Sequence, residues 1–187
     1  MDRTNRDGTV LYHGTDYKFK IPDRKYFKSD KDFGEGFYLT TDIEQAEKFA
    51  RLRMKSSNKN KAYVNQYWIS SEDLNKLKMI TIDNSVDWLR YIMYNRGYND
   101  SDIAISNKFK DYDILCGKVA DARISNVLNR YNRGGYNRTA RALGITPEEV
   151  VIMELNAEVF VNQIVFKTDE ALQCLKFRKA KVVQQWQ

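Results

Sequence analysis

Three short segments of the 187-residue chain combine polar, aromatic and glycine residues in patterns that suit ligand chemistry. Residues 11–15 read Leu-Tyr-His-Gly-Thr and hold the only histidine of the sequence. Residues 33–42 read Phe-Gly-Glu-Gly-Phe-Tyr-Leu-Thr-Thr-Asp, and residues 162–166 read Asn-Gln-Ile-Val-Phe. An imidazole, a tyrosine ring and a side-chain amide can together hold a flat heterocycle and the hydroxyls of a sugar.

Each segment places one reactive or binding side chain at a defined position. His13 ends a predicted strand beside Gly14, whose missing side chain lets a ligand approach the backbone. Tyr38 lies on a second strand, and Phe49 follows it by eleven residues on the next helix. The two rings can therefore enclose a heterocycle such as nicotinamide. Gln163 stands on a later strand, where its amide can bond a sugar hydroxyl.

The elements that position these residues are predicted by hydrophobic periodicity and by helix-capping residues. The predicted strands are residues 9–13, 37–40, 62–69, 79–82, 112–116, 162–167 and 179–186. Helices are predicted to start after Asp42, Ser85, Thr146 and Thr168, with a further helical stripe over residues 120–131. Short strands scattered among helices without a regular βαβ repeat predict an α+β fold with a mixed or antiparallel sheet. We expect one domain over residues 9–187, preceded by a short polar tail of residues 1–8.

Composition and charge exclude several function classes. A single histidine argues against zinc sites of the His/Cys type and against H-E-x-x-H proteases, so no metal is expected. No apolar run exceeds the four residues 150–153, and the charged start lacks a secretory signal, so we expect a cytoplasmic protein with no membrane partner. The net charge of +6 suits an anionic ligand, although a well-solvated surface explains it equally.

The segments around His13 and Tyr38 resemble, in order and spacing, the H-Y-E branch of the ADP-ribosyltransferases, the branch of diphtheria toxin and the poly(ADP-ribose) polymerases. Residues 10–177 more closely resemble the bacterial domain-of-unknown-function 3990 family, whose genes often occur in toxin–antitoxin-like pairs. The shared features include Asn95-Arg96, Tyr112-Asp-Ile and the stretch from Gln163 to Leu172. This resemblance implies an ADP-ribosyltransferase-like split β-sheet core with flanking helices.

The resemblance also implies an activity and its residues. The implied enzyme is an NAD-dependent mono-ADP-ribosyltransferase, toxin-like or regulatory, that moves ADP-ribose from its substrate NAD to a macromolecular acceptor and releases nicotinamide. A protein acceptor is expected rather than a nucleic acid, and an antitoxin is an expected partner. The implied catalytic residues are His13, Tyr38 and Gln163. The implied NAD-contacting residues are His13, Gly14, Thr15, Tyr38, Leu39 and Phe49.

The third segment departs from that branch, which has Glu where this chain has Gln163. An amide cannot ionise, so it can neither stabilise a cation by charge nor act as a general base. We therefore expect transfer to an acceptor that is already nucleophilic, without polymer elongation. Asn162 is the alternative register, and Glu35 is a candidate substitute acid. A non-catalytic module that binds NAD or ADP-ribose, and a basic nucleic-acid-binding protein, are the alternative functions.

Two basic regions allow further hypotheses. Cations of the 16–32 loop are candidate counter-charges for a pyrophosphate: Lys18, Lys20, Arg24 and Lys25. A later cluster of arginines with interleaved tyrosines suits nucleic acid or a protein partner, or else forms a solvated helix face: Arg123, Arg130, Arg133, Arg138 and Arg141, with Tyr131 and Tyr136. Asp121 is expected to cap the helix that follows it.

Overall fold

The computed structural model of the protein describes residues 7–83, 85–99, 101–118, 122–156 and 162–184. Its strands are β1 (Gly8–Thr15), β2 (Phe37–Leu39), β3 (Ala62–Ser70), β4 (Met79–Ile82), β5 (Ile114–Lys118), β6 (Asn162–Phe166) and β7 (Lys176–Val183). Its helices are α1 (Ile43–Ser56), α2 (Ser71–Lys76), α3 (Val86–Asn95), α4 (Ile103–Phe109), α5 (Ala122–Asn132), α6 (Asn137–Leu143), α7 (Pro147–Asn156) and α8 (Asp169–Gln173). None of the helices in these ranges combines the length and the apolar composition needed to cross a bilayer.

The strands form two sheets that meet at a single bridge. Sheet A has the order β1-β3-β7 and is antiparallel throughout. Sheet B has the order β2-β6-β5-β4, in which only β4 and β5 run parallel. Tyr12 of β1 exchanges two backbone hydrogen bonds with Thr40, directly after β2, at 2.8 and 3.0 Å. The predicted α+β class with mixed and antiparallel pairing is therefore confirmed.

Apolar side chains fill three layers around these sheets. Helices α3, α4, α5 and α7 pack on one face of sheet B, through a cluster that includes Trp88, Leu115 and Val165. The other face of sheet B packs on sheet A through residues such as Leu11 and Phe166. Helix α1 covers part of the outer face of sheet A. The chain therefore has an inter-sheet core with helical layers outside both sheets.

Helix α1 begins where the sequence predicts and approaches β1 closely. The Asp42 side chain accepts hydrogen bonds from the backbone N–H groups of Glu44 and Gln45, as an N-cap does. The small residues Ala46 and Ala50 then face sheet A. A Cβ atom on Gly14 would lie 2.0 Å from the carbonyl oxygen of Ala46. Gly14 is therefore required by the packing of α1 on β1, a reason that sequence reasoning did not supply.

Several predicted boundaries were wrong. Strand β5 covers Ile114–Lys118 rather than residues 112–116, and β7 begins at Lys176 rather than at residue 179. Strand β1 begins at Gly8, so it takes in the last residue of the predicted tail. The predicted helix over residues 120–131 is α5 from Ala122 onward, and residues 120 and 121 lie outside the described residues. Helices α2, α4 and α6 were not predicted, because six or seven residues carry too little periodicity to register.

Candidate active site

The His13 ring lies at the inter-sheet face of β1 in an aromatic setting. Its centroid is 4.6 Å from that of Phe37 and 5.6 Å from that of Phe19. Its Nδ1 lies 2.7 Å from the backbone oxygen of Tyr38. A carbonyl only accepts, so Nδ1 carries the proton and Nε2 is left as an acceptor. Burial lowers the pKa of His13 to about 4, so the imidazole is neutral at neutral pH.

The backbone of Gly14 faces the space between the two sheets. The N–H and C=O groups of Tyr12 point away from β3, because both bond to Thr40. In an antiparallel ladder without a bulge, backbone groups two residues apart point the same way. Those of Gly14 therefore also point away from β3, on the side of β1 that faces β2. They form a donor and acceptor pair at the end of the strand, where Thr15 is buried.

The Tyr38 hydroxyl closes the turn that precedes β2. It donates to the backbone oxygen of Gly34 at 2.7 Å and accepts from the backbone N–H of Phe33 at 3.1 Å. Gly34 has a φ of 71°, a left-handed conformation that glycine adopts without strain. Burial raises the pKa of Tyr38 above its usual value. Its hydroxyl therefore has a structural role, and only the half-buried ring is left for a ligand.

Gln163 is buried on β6 with both of its amide hydrogens in use. Its Nε2 lies 3.1 Å from Oδ2 of Asp32 and 3.2 Å from the backbone oxygen of Lys118. Both neighbours are acceptors, which assigns the NH₂ group to that side. Among the described residues no donor reaches Oε1, so this oxygen is a free acceptor. Asn162 is exposed on the opposite face of the strand, as the strand period requires.

Asp32 and Arg96 form a buried ion pair beside Gln163 that sequence reasoning missed. Oδ1 of Asp32 accepts from Nη2 of Arg96 at 2.5 Å and from its Nε at 3.0 Å. Asp32 is only 6% exposed and the Arg96 side chain 20%, so the pair is largely withdrawn from water. Asn95 also donates to the backbone oxygen of Asp32 at 3.0 Å. The sequence offered one signal for this pair, the Asn95-Arg96 dipeptide shared with the resembled family, but no function was assigned to it.

Lys167 is a second residue that sequence reasoning missed. It holds the backbone of residues 32–36, which we call the glycine loop. Its Nζ donates to the backbone oxygen of Phe33 at 2.7 Å and lies 3.3 Å from the hydroxyl of Tyr91. Burial lowers the pKa of Lys167 to about 8. Together with Asn95 and Tyr38, it fixes the backbone of the loop from three sides. The loop backbone is thus held by side chains from β2, from α3 and from the residue that follows β6.

Other predicted site residues differ in exposure. Leu39 is buried in the inter-sheet core, which leaves its backbone for the predicted ligand contact. Phe49 is 48% exposed, and the guanidinium carbon of Arg53 lies 5.4 Å from its ring centroid. The backbone of the next residue, Ala50, contacts the position of Gly14, so the Phe49 backbone lies near the end of β1, and its exposed ring is not part of the core.

The charged residues of the 16–32 loop are partly committed to the protein itself. Arg24 pairs with Glu35 at 3.1 Å and donates to the backbone oxygen of Lys167 at 2.7 Å. Lys25 pairs with Asp23 at 2.7 Å. Glu35 is exposed in this pair, whereas Gln163 is buried against Asp32. The carboxylate at Gln163 is therefore that of Asp32, and the candidate substitute acid Glu35 is held at the surface.

The predicted arginine cluster lacks the exposed rings that would make it a stacking surface. Tyr136 is 1% exposed, under the guanidinium of Arg130 at 4.4 Å from its ring centroid. The half-buried Tyr131 donates its hydroxyl to Glu148 at 2.5 Å. Arg138 and Arg141 are exposed on α6, while Asp121 and the side chain of Arg123 lie outside the described residues. The cluster is an exposed set of charges over buried rings.

Comparison with protein families places the chain. The model of the family described as "Protein of unknown function (DUF3990)" matches residues 9–177. The chain belongs to this family. The match takes in all three site segments, together with Asp32, Arg96 and Lys167. No curated protein matches the chain. The suspected membership of the DUF3990 family is thus confirmed.

Proposed function

We propose that this DUF3990 protein transfers ADP-ribose from NAD to a macromolecular acceptor, on an ADP-ribosyltransferase-like split-sheet core. The observation that carries the proposal is the bridge between Tyr12 and Thr40, which joins β1 to β2. Since β2 also pairs with β6, it brings His13, Tyr38 and Gln163 onto three successive strands. This is the order in which the resemblance implies a first, second and third motif.

The proposed nicotinamide subsite lies at the end of β1. The free N–H and C=O groups of Gly14 match the acceptor and donor of a carboxamide, so two hydrogen bonds can fix that group. The Phe49 ring is exposed and lies outside the core, so it can stack on the pyridinium. The Tyr38 ring is the second candidate wall, held by its bonds to the glycine loop.

The proposed ribose contacts use neutral acceptors. Nε2 of His13 is unprotonated, so it can accept a hydrogen bond from a hydroxyl of the adenosine-side ribose. Oε1 of Gln163 can accept one from the nicotinamide-side ribose. Because Asp32 and Lys118 hold its NH₂ group, the amide is already oriented before a ligand binds. Such preorganised contacts contribute most as charge develops on the sugar.

The proposed reaction breaks the bond between ribose C1′ and the nicotinamide nitrogen. The bonding electrons leave with nicotinamide, positive charge builds on the sugar, and a nucleophilic atom of the acceptor then bonds to C1′. Gln163 cannot take the acceptor's proton, and the Asp32 carboxylate is paired with Arg96. The acceptor must therefore lose that proton to solvent or to a group of its own. This requirement fits single transfer rather than polymer growth.

Incubation with radiolabelled NAD and a bacterial lysate tests the activity. We expect release of nicotinamide and transfer of label, both abolished in His13→Ala and strongly reduced in Gln163→Ala. Asn162→Ala is the matched control, because its side chain is exposed on the opposite face of β6. Calorimetry that detects neither NAD nor ADP-ribose binding at millimolar ligand would overturn the proposal.

A second variant pair tests the nicotinamide subsite alone. Phe49→Ala should weaken nicotinamide binding about fivefold while ADP binding stays unchanged, since ring stacking contributes on the order of 1 kcal/mol. Leu52→Ala is the control, because Leu52 is 57% exposed on the same helix. Equal losses of nicotinamide and ADP affinity would contradict the orientation assigned to NAD.

A non-catalytic module that binds NAD or ADP-ribose is the second candidate function. It is favoured by one observation: in the part of the chain that the structure describes, the carboxylate at Gln163 is that of Asp32, which already binds Arg96. This candidate predicts NAD binding that depends on His13 and Gly14. It also predicts no nicotinamide release above the uncatalysed rate with any acceptor tested. The labelled-NAD experiment distinguishes the two.

A further inference from the structure

The outer face of sheet A is covered by helix α1 at one end only. Ala46, Ala50 and Met54 of α1 pack on Ala62, Val64 and Val183. Further along the same face, Tyr12, Gln66 and Trp68 are half-buried, with Tyr12 packed against the edge of the α1 cluster. Their alternation along β1 and β3 puts them on one side of the sheet, opposite His13 and the inter-sheet core. We call this uncovered part the outer platform.

A β-bulge in β7 gathers cations on the outer platform. Trp68 pairs with Lys176, but Gln66 pairs with Lys179, so one extra residue, Arg178, lies between them. Without the bulge, strict alternation would send Lys179 and Lys176 to opposite faces. The register shift instead puts both on the Trp68 face. Lys181 follows, opposite Val64.

The charge on the outer platform is largely unopposed. The guanidinium carbon of Arg178 and the Nζ of Lys176 lie 4.9 and 5.3 Å from ring centroids of Trp68. Lys181 pairs with Glu47 at 2.6 Å, whereas Lys176, Arg178 and Lys179 have no ion pair within the described parts of the chain. Residues 176–187 include no acidic side chain. Two exposed cations therefore lie over the indole ring of Trp68, and a third, Lys179, is on the same face opposite Gln66.

A groove of about 450 Å³ continues the platform toward the start of α1, within the size range of ligand sites. Its walls combine an aromatic ring, an amide and two of the cations; it is lined by Tyr12, Ile43, Val64, Gln66, Lys179 and Lys181. The platform and the groove thus present aromatic and guanidinium planes beside exposed ammonium groups. Lys179 belongs to both.

We propose that the outer platform binds single-stranded nucleic acid. Bases that are free of a duplex can stack on the Trp68–Arg178 pair and on Tyr12, while Lys176 and Lys179 contact the phosphates. A duplex keeps its bases stacked internally, so it can use the cations but not the rings. An acidic protein segment would likewise use only the charges.

This binding surface is independent of the proposed NAD site. Tyr12 faces the outer platform, whereas its neighbour His13 faces the inter-sheet core. It also differs from the arginine cluster around α6, where the rings are buried or bonded. Loss of NAD turnover would therefore leave nucleic-acid binding intact, and the reverse also holds.

Fluorescence anisotropy with a labelled twelve-nucleotide probe tests the proposal, using single-stranded RNA, single-stranded DNA and the matching DNA duplex. The Lys176→Ala/Lys179→Ala variant should bind either single strand at least about tenfold more weakly and lower the slope of log K against log salt by about 1.4, or 0.7 for each lost phosphate contact. Arg138→Ala/Arg141→Ala is the matched control, since it removes the same charge from exposed positions of α6. Its affinity should change less than about twofold.

Each other outcome overturns the proposal. Equal losses in both double variants would show a general charge effect, and equal affinity for the duplex would exclude stacking on the platform. Competition by polyglutamate as effective as that by oligonucleotide would assign the surface to an acidic protein. Absence of binding to every probe at low salt would show that the outer platform does not bind nucleic acid. Circular dichroism and urea unfolding verify that both double variants are folded.

Discussion

The proposed site has two ends that differ in charge: His13 faces the space between the sheets, and Gln163 lies on the face of sheet B that the helices cover. Around His13 are the rings of Phe19 and Phe37 and the carbonyl of Tyr38, and no charged group among the described residues is in hydrogen-bond contact with it. Gln163 instead faces the buried pair of Asp32 and Arg96. Desolvation keeps the His13 imidazole neutral, whereas the charge of Asp32 orients the Gln163 amide. The two ends should therefore respond differently to mutation and to pH.

The largest effect is expected at the charged end. Arg96→Met removes the partner of a buried carboxylate, so unfolding free energy should fall by about 3–5 kcal/mol. Urea denaturation measures this loss. Lys76→Ala breaks an exposed pair with Glu72 and should cost less than about 1 kcal/mol. Adding Asp32→Asn to Arg96→Met should restore part of the stability; a loss below 1 kcal/mol in the single variant would mean that Asp32 is hydrated.

The next effect concerns Gln163 and turnover. Gln163→Ala should lower nicotinamide release about 10²-fold, close to 2.7 kcal/mol, while NAD affinity changes little, because the hydroxyl contact strengthens as the sugar flattens. Steady-state kinetics and calorimetry separate the two quantities. Asn162→Ala is the control and should retain activity. If Asn162→Ala abolished activity and Gln163→Ala did not, the third motif would be one residue earlier.

A smaller effect is expected at the neutral end and depends on pH. Since the folded pKa of His13 is about 4, below its ordinary 6.5, its contribution to stability is complete above pH 6.5 and is lost as the pH falls toward 4. Between pH 7 and pH 5 the protein should lose about 2 kcal/mol more unfolding free energy than His13→Gln does. Urea titrations at both pH values measure this difference. Parallel losses would show that His13 is hydrated and titrates normally.

The smallest effect is expected for the ion pairs of Arg24, which are exposed where the Asp32–Arg96 pair is buried. Arg24→Ala removes a guanidinium that is 44% exposed and bonded to Glu35 and Asp169, so the loss should stay below about 1 kcal/mol. Urea denaturation beside Arg96→Met gives the contrast directly. A loss of unfolding free energy comparable to that of Arg96→Met would show that both arginines stabilise the protein by anchoring the 16–32 loop rather than through burial of charge.

Local features of the site were predictable from the sequence because they depend on near neighbours. The start of α1 follows from Asp42 and the two residues whose N–H groups it caps. The choice of Gln163 over Asn162 follows from the two-residue period of a strand, and the structure places them on opposite faces. The α+β class followed from the alternation of short strands with helices.

Tertiary structure decided the features that depend on distant residues. Asp32 meets Arg96 across 64 residues and Gln163 across 131, so nothing in its own loop marks it as buried. Leu39 entered the core because β2 packs its alternate side chains between the sheets. The bulge in β7 shifted the register against β3 by one residue and reversed which side chains face outward.

The sequence by itself therefore determined where helices start, which strand residues alternate and which residue types could hold a dinucleotide. Only the tertiary structure decided which of those residues meet, which are buried and which carry a charge partner. The physical reason is range: capping and periodicity act within a few residues, whereas desolvation and ion pairing depend on what the folded chain places around a group.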